Sequence, residues 1–293
     1  MRISYTMIYS QSQYNINQQY EEVYSLNEKI STGKEVNRPS DDPIAAGKIL
    51  GYRSTISALE QYSSNIERGS TWLRYTESTL TQAEELIMNA RTLAEQMANE
   101  PYEAQMEIIA PQVKQIAEQL LQIANTSVSG KFIFSGHKTE TIPFTMDEEL
   151  NVTYHGDNNK IKYSIDETSD VAVNITGQET FIDGINVFDV LKDFYRALQG
   201  GDTLDVGPVL EDLGTALDQI VTQRSITGTA MTRFESAANV VEELEFLTED
   251  LLVNTEDTDM VKRLTDLKSR ETALNASMQS ATILTRLSLL NYM

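Results

Sequence analysis

Seven apolar residues, Tyr52, Leu59, Ile66, Leu73, Leu80, Ile87 and Ala94, recur at intervals of seven along a stretch that holds no proline between Pro43 and Asn99. A seven-residue apolar period keeps one stripe on one side of an α-helix and predicts a long, gently supercoiled helix of roughly 80 Å at 1.5 Å per residue. The companion stripe drifts, because Ile56 lies four residues after its partner whereas Ala83, Ala90 and Met97 lie three after theirs. Gly51 and Gly69 read as tolerated interruptions. A stripe of this length must be covered, which commits the chain to a helical bundle with this helix as its core.

The flanking segments extend the bundle. Ile16, Tyr20, Val23 and Ile30 fall at heptad spacing, with polar Asn27 at the vacant position, and predict an amphipathic first helix with a narrow apolar stripe. It should stop at Ser31-Thr32-Gly33, where glycine can take the left-handed conformation. In the turn-rich Val36–Pro43 that follows, Asp42 can cap the next helix and Pro43 can occupy its first position. Pro101 breaks the long helix, and Tyr102 to about Thr126 predicts another. Between Gly130 and Gly184 the pattern changes to short alternating or β-branched runs, Lys131–Phe134, Val152–Tyr154, Lys160–Ile165 and Val171–Ile175, which predict strands. Helical spacing resumes at Val187–Leu191 and persists to the C-terminus, where Met260, Leu264, Leu267, Leu274, Met278 and Ala281 fit a heptad.

The expected fold class is α+β. A long antiparallel coiled-coil-like bundle is formed by the N- and C-terminal parts, with a small central β-rich domain. Five segments follow: an assembly helix and turn at 1–42, inner helices at 43–129, an outer β-rich domain at 130–184, an acidic helical return at 185–259, and a second assembly helix at 260–293.

Charge sharpens this division. The 293 residues carry 23 Lys and Arg against 44 Asp and Glu, a net of -21, of which -12 resides in residues 201–259, while 260–293 is net +3 and 1–42 only -2. Such acidity argues against binding nucleic acid or an anionic membrane, since both repel it. The near-neutral ends are where close packing with neighbours meets least like-charge repulsion. The absence of cysteine excludes disulfides, thiolate metal sites and cysteine nucleophiles. Met1–Tyr5 lacks the layout of a Sec signal peptide, and no window approaches the ~18 apolar residues of a membrane span. Neither membrane insertion nor a cleaved signal is expected.

The ends carry the functional expectation. A terminal amphipathic helix has no local partner, and Ile283, Leu284, Leu287, Leu289, Leu290, Tyr292 and Met293 form an apolar tip, which together point to assembly. The expected assembly interface is Ile16, Tyr20, Val23, Ile30, Leu274, Met278, Ala281, Leu284, Leu287, Leu289 and Leu290.

The run Ser31–Gly47, with Gly33, Asn37, Pro39, Ser40, Asp41, Asp42 and Pro43 at its centre, resembles the signature of the bacterial flagellin superfamily, and Leu86–Asn99 is similar to its inner-helix segment. Gly130–Gly136 with Pro143-Phe144, Tyr154–Asp157, Val173–Gly177 with Phe181, and the ending Leu287–Met293 resemble the hook-associated protein 3 group more than filament flagellin. Asn291 and Met293 depart slightly from that group's usual ending. The resemblance implies a structural protein of the bacterial flagellum, extracellular and exported unfolded by the type III apparatus. It would join the hook, through hook-associated protein 1, to flagellin, self-associating as a ring, with an export chaperone as a further partner. Isolated helices with narrow stripes are marginal in water, so they would stay disordered for export and fold on assembly. The alternative within the superfamily is the filament flagellin itself.

A hydrolase would need a site, and the candidates are thin. His137 and His155 with Asp157 could suggest a metal site, but too few ligands are present. Asp147-Glu148-Glu149 and Gly156-Asp157-Asn158-Asn159 lack the ordered spacing of a calcium loop and read as turns, the latter as a hairpin. No phosphate-cradling glycine loop or nucleophile elbow occurs. The acidic run Glu235, Glu242, Glu243, Glu245, Glu249, Asp250, Glu256, Asp257 and Asp259 reads as a solvated surface. No catalytic residue, cofactor or metal is expected.

Overall fold

The protein is described here from a computed structural model covering residues 5–99, 103–200 and 206–290, with side chains over 7–98, 106–200 and 207–283. Leu284, Leu287, Leu289 and Leu290 of the expected interface therefore lie outside the described side chains. The elements in order are α1 (Tyr5–Thr32), α2 (Pro43–Asn99), α3 (Glu103–Ala124), β1 (Ser127–Val128), β2 (Lys131–Phe132), β3 (Phe144–Met146), β4 (Val152–Tyr154), β5 (Lys162–Ser164), β6 (Asp170–Ala172), a π-helical turn (Gln178–Ile182), α4 (Val187–Gly200), α5 (Val206–Glu256) and α6 (Met260–Leu290). Long packed helices with a few small antiparallel strand pairs make this the α+β bundle expected.

Helix ends follow their local chemistry. Gly33 sits at φ +72° and its N–H reaches the Lys29 carbonyl at 2.9 Å, closing α1. At the start of α2, Asp42 Oδ1 accepts the N–H groups of Ile44 at 2.9 Å and Ala45 at 3.0 Å, satisfying donors that have no partner within the helix. Pro111 lies inside α3 without ending it, so that turn forgoes one backbone hydrogen bond.

The chain packs as two compact units, residues 59–243 and residues 1–58 with 244–293. These follow packing, and so cut through α2 and α5 instead of falling at the five segment boundaries drawn from sequence.

In the unit of residues 59–243, the heptad residues Leu59, Ile66, Leu73, Leu80, Ile87 and Ala94 are all buried, as are Ala83, Ala90 and Met97 of the drifting stripe. Leu80, Ile87, Ala94 and the three residues of the drifting stripe join Val113 and Leu120 of α3, Leu191 and Phe194 of α4, and Leu213 and Ile220 of α5 in one cluster, while Leu59, Ile66 and Leu73 pack with Val173, Phe234 and Val241 in a second. Each fully buried Leu or Ile contributes about 1.5–3 kcal/mol, so this stripe is a substantial contributor to the stability of the unit. Gly69 is not a tolerated interruption: a Cβ there would fall 2.3 Å from the Phe234 ring, so the missing side chain is what lets α5 approach α2. Arg224 of α5 fixes the register with bonds to Glu84 at 2.8 Å and Glu77 at 3.0 Å.

The β-rich part is three two-stranded antiparallel ladders, β1–β2, β3–β4 and β5–β6. The strands are shorter than expected: one further bond follows each of two ladders, from the Ile133 N–H to the Thr126 carbonyl at 3.1 Å and from the Val173 N–H to the Ile161 carbonyl at 2.9 Å, and Ile133, Phe134, Val173 and Ile175 are buried in the core. Gly156–Asn159 is not a hairpin turn, since β4 pairs back to β3 and β5 forward to β6; it links two hairpins. The β3–β4 turn is the acidic one, where Asp147 Oδ1 accepts the N–H of Glu149 at 2.9 Å and of Asn151 at 2.8 Å, with Leu150 at φ +64°.

In the unit of residues 1–58 with 244–293, α1 and α6 lie antiparallel. Tyr20 meets Met278, with its hydroxyl 3.5 Å from Sδ; Glu22 meets Arg270 at 2.9 Å; Glu35 meets Arg263 at 2.8 Å. Residue numbers rise on one helix as they fall on the other.

Candidate assembly site

The apolar stripes read from sequence on the two terminal helices face each other. Leu274 is buried; Ile16, Val23, Ile30, Met278 and Ala281 are half-buried; Tyr20 is exposed over half its surface and touches Met278 at its edge. The two narrow stripes cover one another in part within one chain, while Met260 and Leu264 of the α6 heptad remain 40% and 51% exposed. Tyr9, Tyr14 and Tyr24 of α1 remain exposed.

A clasp closes one end of the α1–α6 pair. The α1–α2 turn and the α5–α6 corner meet as a short antiparallel bridge: the Glu35 N–H donates to the Glu256 carbonyl at 2.7 Å and the Thr258 N–H to the Gly33 carbonyl at 2.9 Å. Two carboxylates fill the junction. Glu256, only 5% exposed, receives the Arg53 guanidinium at 2.6 Å and the Lys34 ammonium. It belongs to the acidic run expected to be solvated; the structure corrects that reading at this residue, because two cations compensate its burial. Glu35 Oε1 receives Lys29 at 2.7 Å and Arg263 Nη2 at 2.8 Å, while Oε2 receives Arg263 Nε at 3.0 Å and the Thr258 hydroxyl at 2.9 Å. Burial alone would raise the Glu35 pKa, but the bonds from Lys29 and Thr258 and the charges of Lys29 and Arg263 outweigh it and hold the carboxyl below its usual range.

The turn signature carries local hydrogen bonds. Asp41 Oδ2 accepts the N–H groups of Asn37 at 3.1 Å and Arg38 at 2.9 Å, tightening the loop, while the Asn37 amide donates to the Lys34 carbonyl at 3.3 Å. Pro39 and Ser40 are exposed at its tip.

The second constellation lies in the β-rich part of the other unit. Phe134 and Phe181 meet edge to face at 5.2 Å, and Phe144 contacts Phe181 at 5.6 Å, Phe188 at 5.5 Å and Tyr154 at 5.0 Å. The Tyr154 hydroxyl is shared between the Phe134 carbonyl at 2.9 Å and that of Asp157 at 3.0 Å. Three glycines admit these rings and loops: a Cβ at Gly156 would meet the Tyr154 ring, at Gly177 the Phe144 ring, and at Gly136 the Asp157 backbone. The sequence segments Gly130–Gly136, Pro143-Phe144, Tyr154–Asp157 and Val173–Phe181 thus form one packed node. His137 Nε2 lies 3.0 Å from the Lys160 carbonyl and His155 Nε2 2.8 Å from the Thr145 hydroxyl, while Asp157 Oδ1 accepts the His137 backbone N–H at 2.7 Å. Each imidazole is engaged separately, and the three residues do not converge on a common point.

Burial pushes the Tyr154 phenol up to about 12. A phenol whose folded pKa exceeds its unfolded value of about 10 stabilises the fold below pH 10, and that contribution is lost as pH rises through 12. Spectrophotometric titration of the folded protein should show one tyrosine ionising about two units late, absent in Tyr154→Phe; an unchanged late phase in the variant would contradict the assignment.

The described geometry comprises terminal helices paired antiparallel, a clasped turn and a folded β-rich part. The family profile described as the bacterial flagellin N-terminal helical region matches residues 3–139. Flagellar hook-associated protein 3 of Escherichia coli K12 is 27% identical over 99% of this chain and 98% of its own length. Flagellin of Bacillus subtilis 168 is 26% identical over 72% of each chain. The crystal structure of Bacillus cereus FlgL superposes with a TM-score of 0.61 at 26% identity, covering 69% of this chain and 99% of its own. The chain is similar to the bacterial flagellin superfamily, and among these relatives hook-associated protein 3 matches over nearly its whole length whereas the flagellin matches over less of it. These relatives are structural proteins of the flagellum.

Proposed function

We infer that this protein is the structural junction between the flagellar hook and the filament. The observation that carries this reading is the full-length similarity to hook-associated protein 3, with the terminal stripes paired as α1 against α6 and the family's turn signature built into the clasp beside them. The chain occupies a ring between hook-associated protein 1 and the first flagellin subunits. Its terminal helices pack toward the axis and its β-rich part faces outward. It is exported from the cell, with its acidic middle keeping the free monomer soluble and a chaperone guarding the C-terminal helix. The apolar tip at Leu284, Leu287, Leu289 and Leu290 serves as the contact to neighbouring subunits.

Cells lacking the gene should carry hooks without filaments and shed flagellin into the medium. The triple change of Leu287, Leu289 and Leu290 to Asp should fail to restore filaments while the purified variant keeps its circular dichroism spectrum. Normal filaments in the deletion strain would overturn the junction reading. Growth of long filaments from seeds by the purified protein alone would identify it instead as a filament subunit.

A further inference from the structure

We propose that the α5 face carrying Leu244, Leu247 and Leu251 docks on the α6 face carrying Val261, Leu264 and Lys268 in a second copy of the chain; the proposal rests on the reading that copies meet one another in the flagellum. The three leucines are 46%, 49% and 49% exposed, although Leu252 beside them is half-buried and Glu256 buried. Their spacing of three and then four residues is that of a helix-packing seam, so the fitting occupant is another helix with an apolar face. The charge of the segment selects which helix. Residues 244–256 contain Glu245, Glu249, Asp250 and Glu256 and no base.

Two α5 faces pressed together would bring Asp250 and its neighbouring carboxylates against their own copies, and like charges across an interface oppose docking. The complementary surface is on α6. Val261 is 76% and Leu264 51% exposed, at positions i and i+3, and Lys268 follows at i+7 on the same side. Among the described residues its ammonium is engaged only by an exposed contact to Glu271 at 3.4 Å, an arrangement that contributes little in water. Lys268 can therefore turn to Asp250 of the second copy as the apolar residues close. Because the two faces differ, the contact is heterologous, and a heterologous contact repeats into a ring or a helix instead of closing as a dimer.

The chain has no cysteine, so each introduced thiol is unique. Leu247→Cys is paired in turn with Val261→Cys and Leu264→Cys on a second copy. The pairs are oxidised both in flagella from cells making the two variants and in concentrated mixtures of the purified chains. A disulfide requires Cα atoms within about 7 Å, so at least one mixed pair should cross-link about tenfold more than Leu247→Cys alone or Leu247→Cys with Glu140→Cys. Asp250→Lys should abolish that cross-link, and Lys268→Glu on the other copy should restore it. Cross-linking no higher than the controls in both settings overturns the proposal, as does a dominant Leu247–Leu247 disulfide. Filaments growing normally on hooks in the same cells leave the junction reading standing whatever the cross-links show.

Discussion

Gly136→Ala is expected to collapse the β-rich part of the larger unit, whereas Gly130→Ala is expected to cost only about 1 kcal/mol, the usual penalty for placing a side chain in the left-handed region. The two glycines have nearly the same backbone conformation, φ +70° and +78°. Conformational strain is therefore matched, and only the surroundings differ. Nothing lies within 4 Å of a Cβ built on Gly130, but one on Gly136 would sit 2.1 Å from Asp157 Oδ1 and 2.2 Å from the Asp157 carbonyl oxygen. A side chain could rotate away from such a clash; a backbone carbonyl cannot.

Displacing Asp157 also breaks what it holds. Its carboxylate accepts the backbone N–H of His137 and of Asn159, bonds that keep its pKa below the usual carboxylate range, and its carbonyl shares the Tyr154 hydroxyl with Phe134. Overpacking plus a broken hydrogen-bond node should cost about 3 kcal/mol or more. Gly177→Ala should fall between the two, because Gly177 has φ -61° and the atoms a Cβ would meet belong to the Phe144 and Tyr154 rings, which can shift. Urea midpoints read the order directly. Equal midpoints for Gly130→Ala and Gly136→Ala would refute the clash.

These contrasts show where sequence reasoning reached its limit. The stripe from Leu59 to Ala94 was legible because burial along one helix is written into a single local period, and all of its apolar members are in the core. The end of α1 and the cap of α2 were legible for the same reason: Gly33 and Asp42 act on their own neighbours. Gly69 was not, because the residue that needs its missing side chain, Phe234, lies on a helix far along the chain. The short strands were found approximately, but two or three residues give too little alternation to fix their ends or pairing, and Gly156–Asn159 was assigned the wrong turn.

The assembly stripes were legible as periodicity, while the clasp was not. Glu256 stands in a run of acidic residues with nothing local to mark it as buried; its cations, Lys34 and Arg53, come from the other end of the sequence. The one available signal was the signature around Gly33, whose backbone turns out to be half of the bridge to the α5–α6 corner.

That clasp makes the pairing of α1 with α6 depend on acid. Glu35 has a folded pKa below its ordinary 4.5. A group whose folded pKa is depressed contributes stability that is fully present above the unfolded value and is lost as pH falls through the folded one. The α1–α6 pair should therefore keep its strength down to about pH 4.5 and weaken below it. Glu35→Gln separates charge from shape. The amide retains an acceptor for Thr258 but loses the two-pronged bond to Arg263 and the attraction of Lys29, charge-assisted contacts that are stronger than neutral ones. At pH 7 the variant should exchange the amide hydrogens of α1 and α6 together, about ten- to a hundredfold faster than the parent, corresponding to roughly 1.5–3 kcal/mol for hydrogen bonds to a charged group. As pH falls below 4.5 that gap should narrow, because protonation removes the same charge from the parent. Arg263→Lys should lie between them, since an ammonium cannot span both carboxylate oxygens as the guanidinium does. Protection in Glu35→Gln equal to the parent at pH 7 would show that the backbone bridge and Glu256 hold the two helices without it.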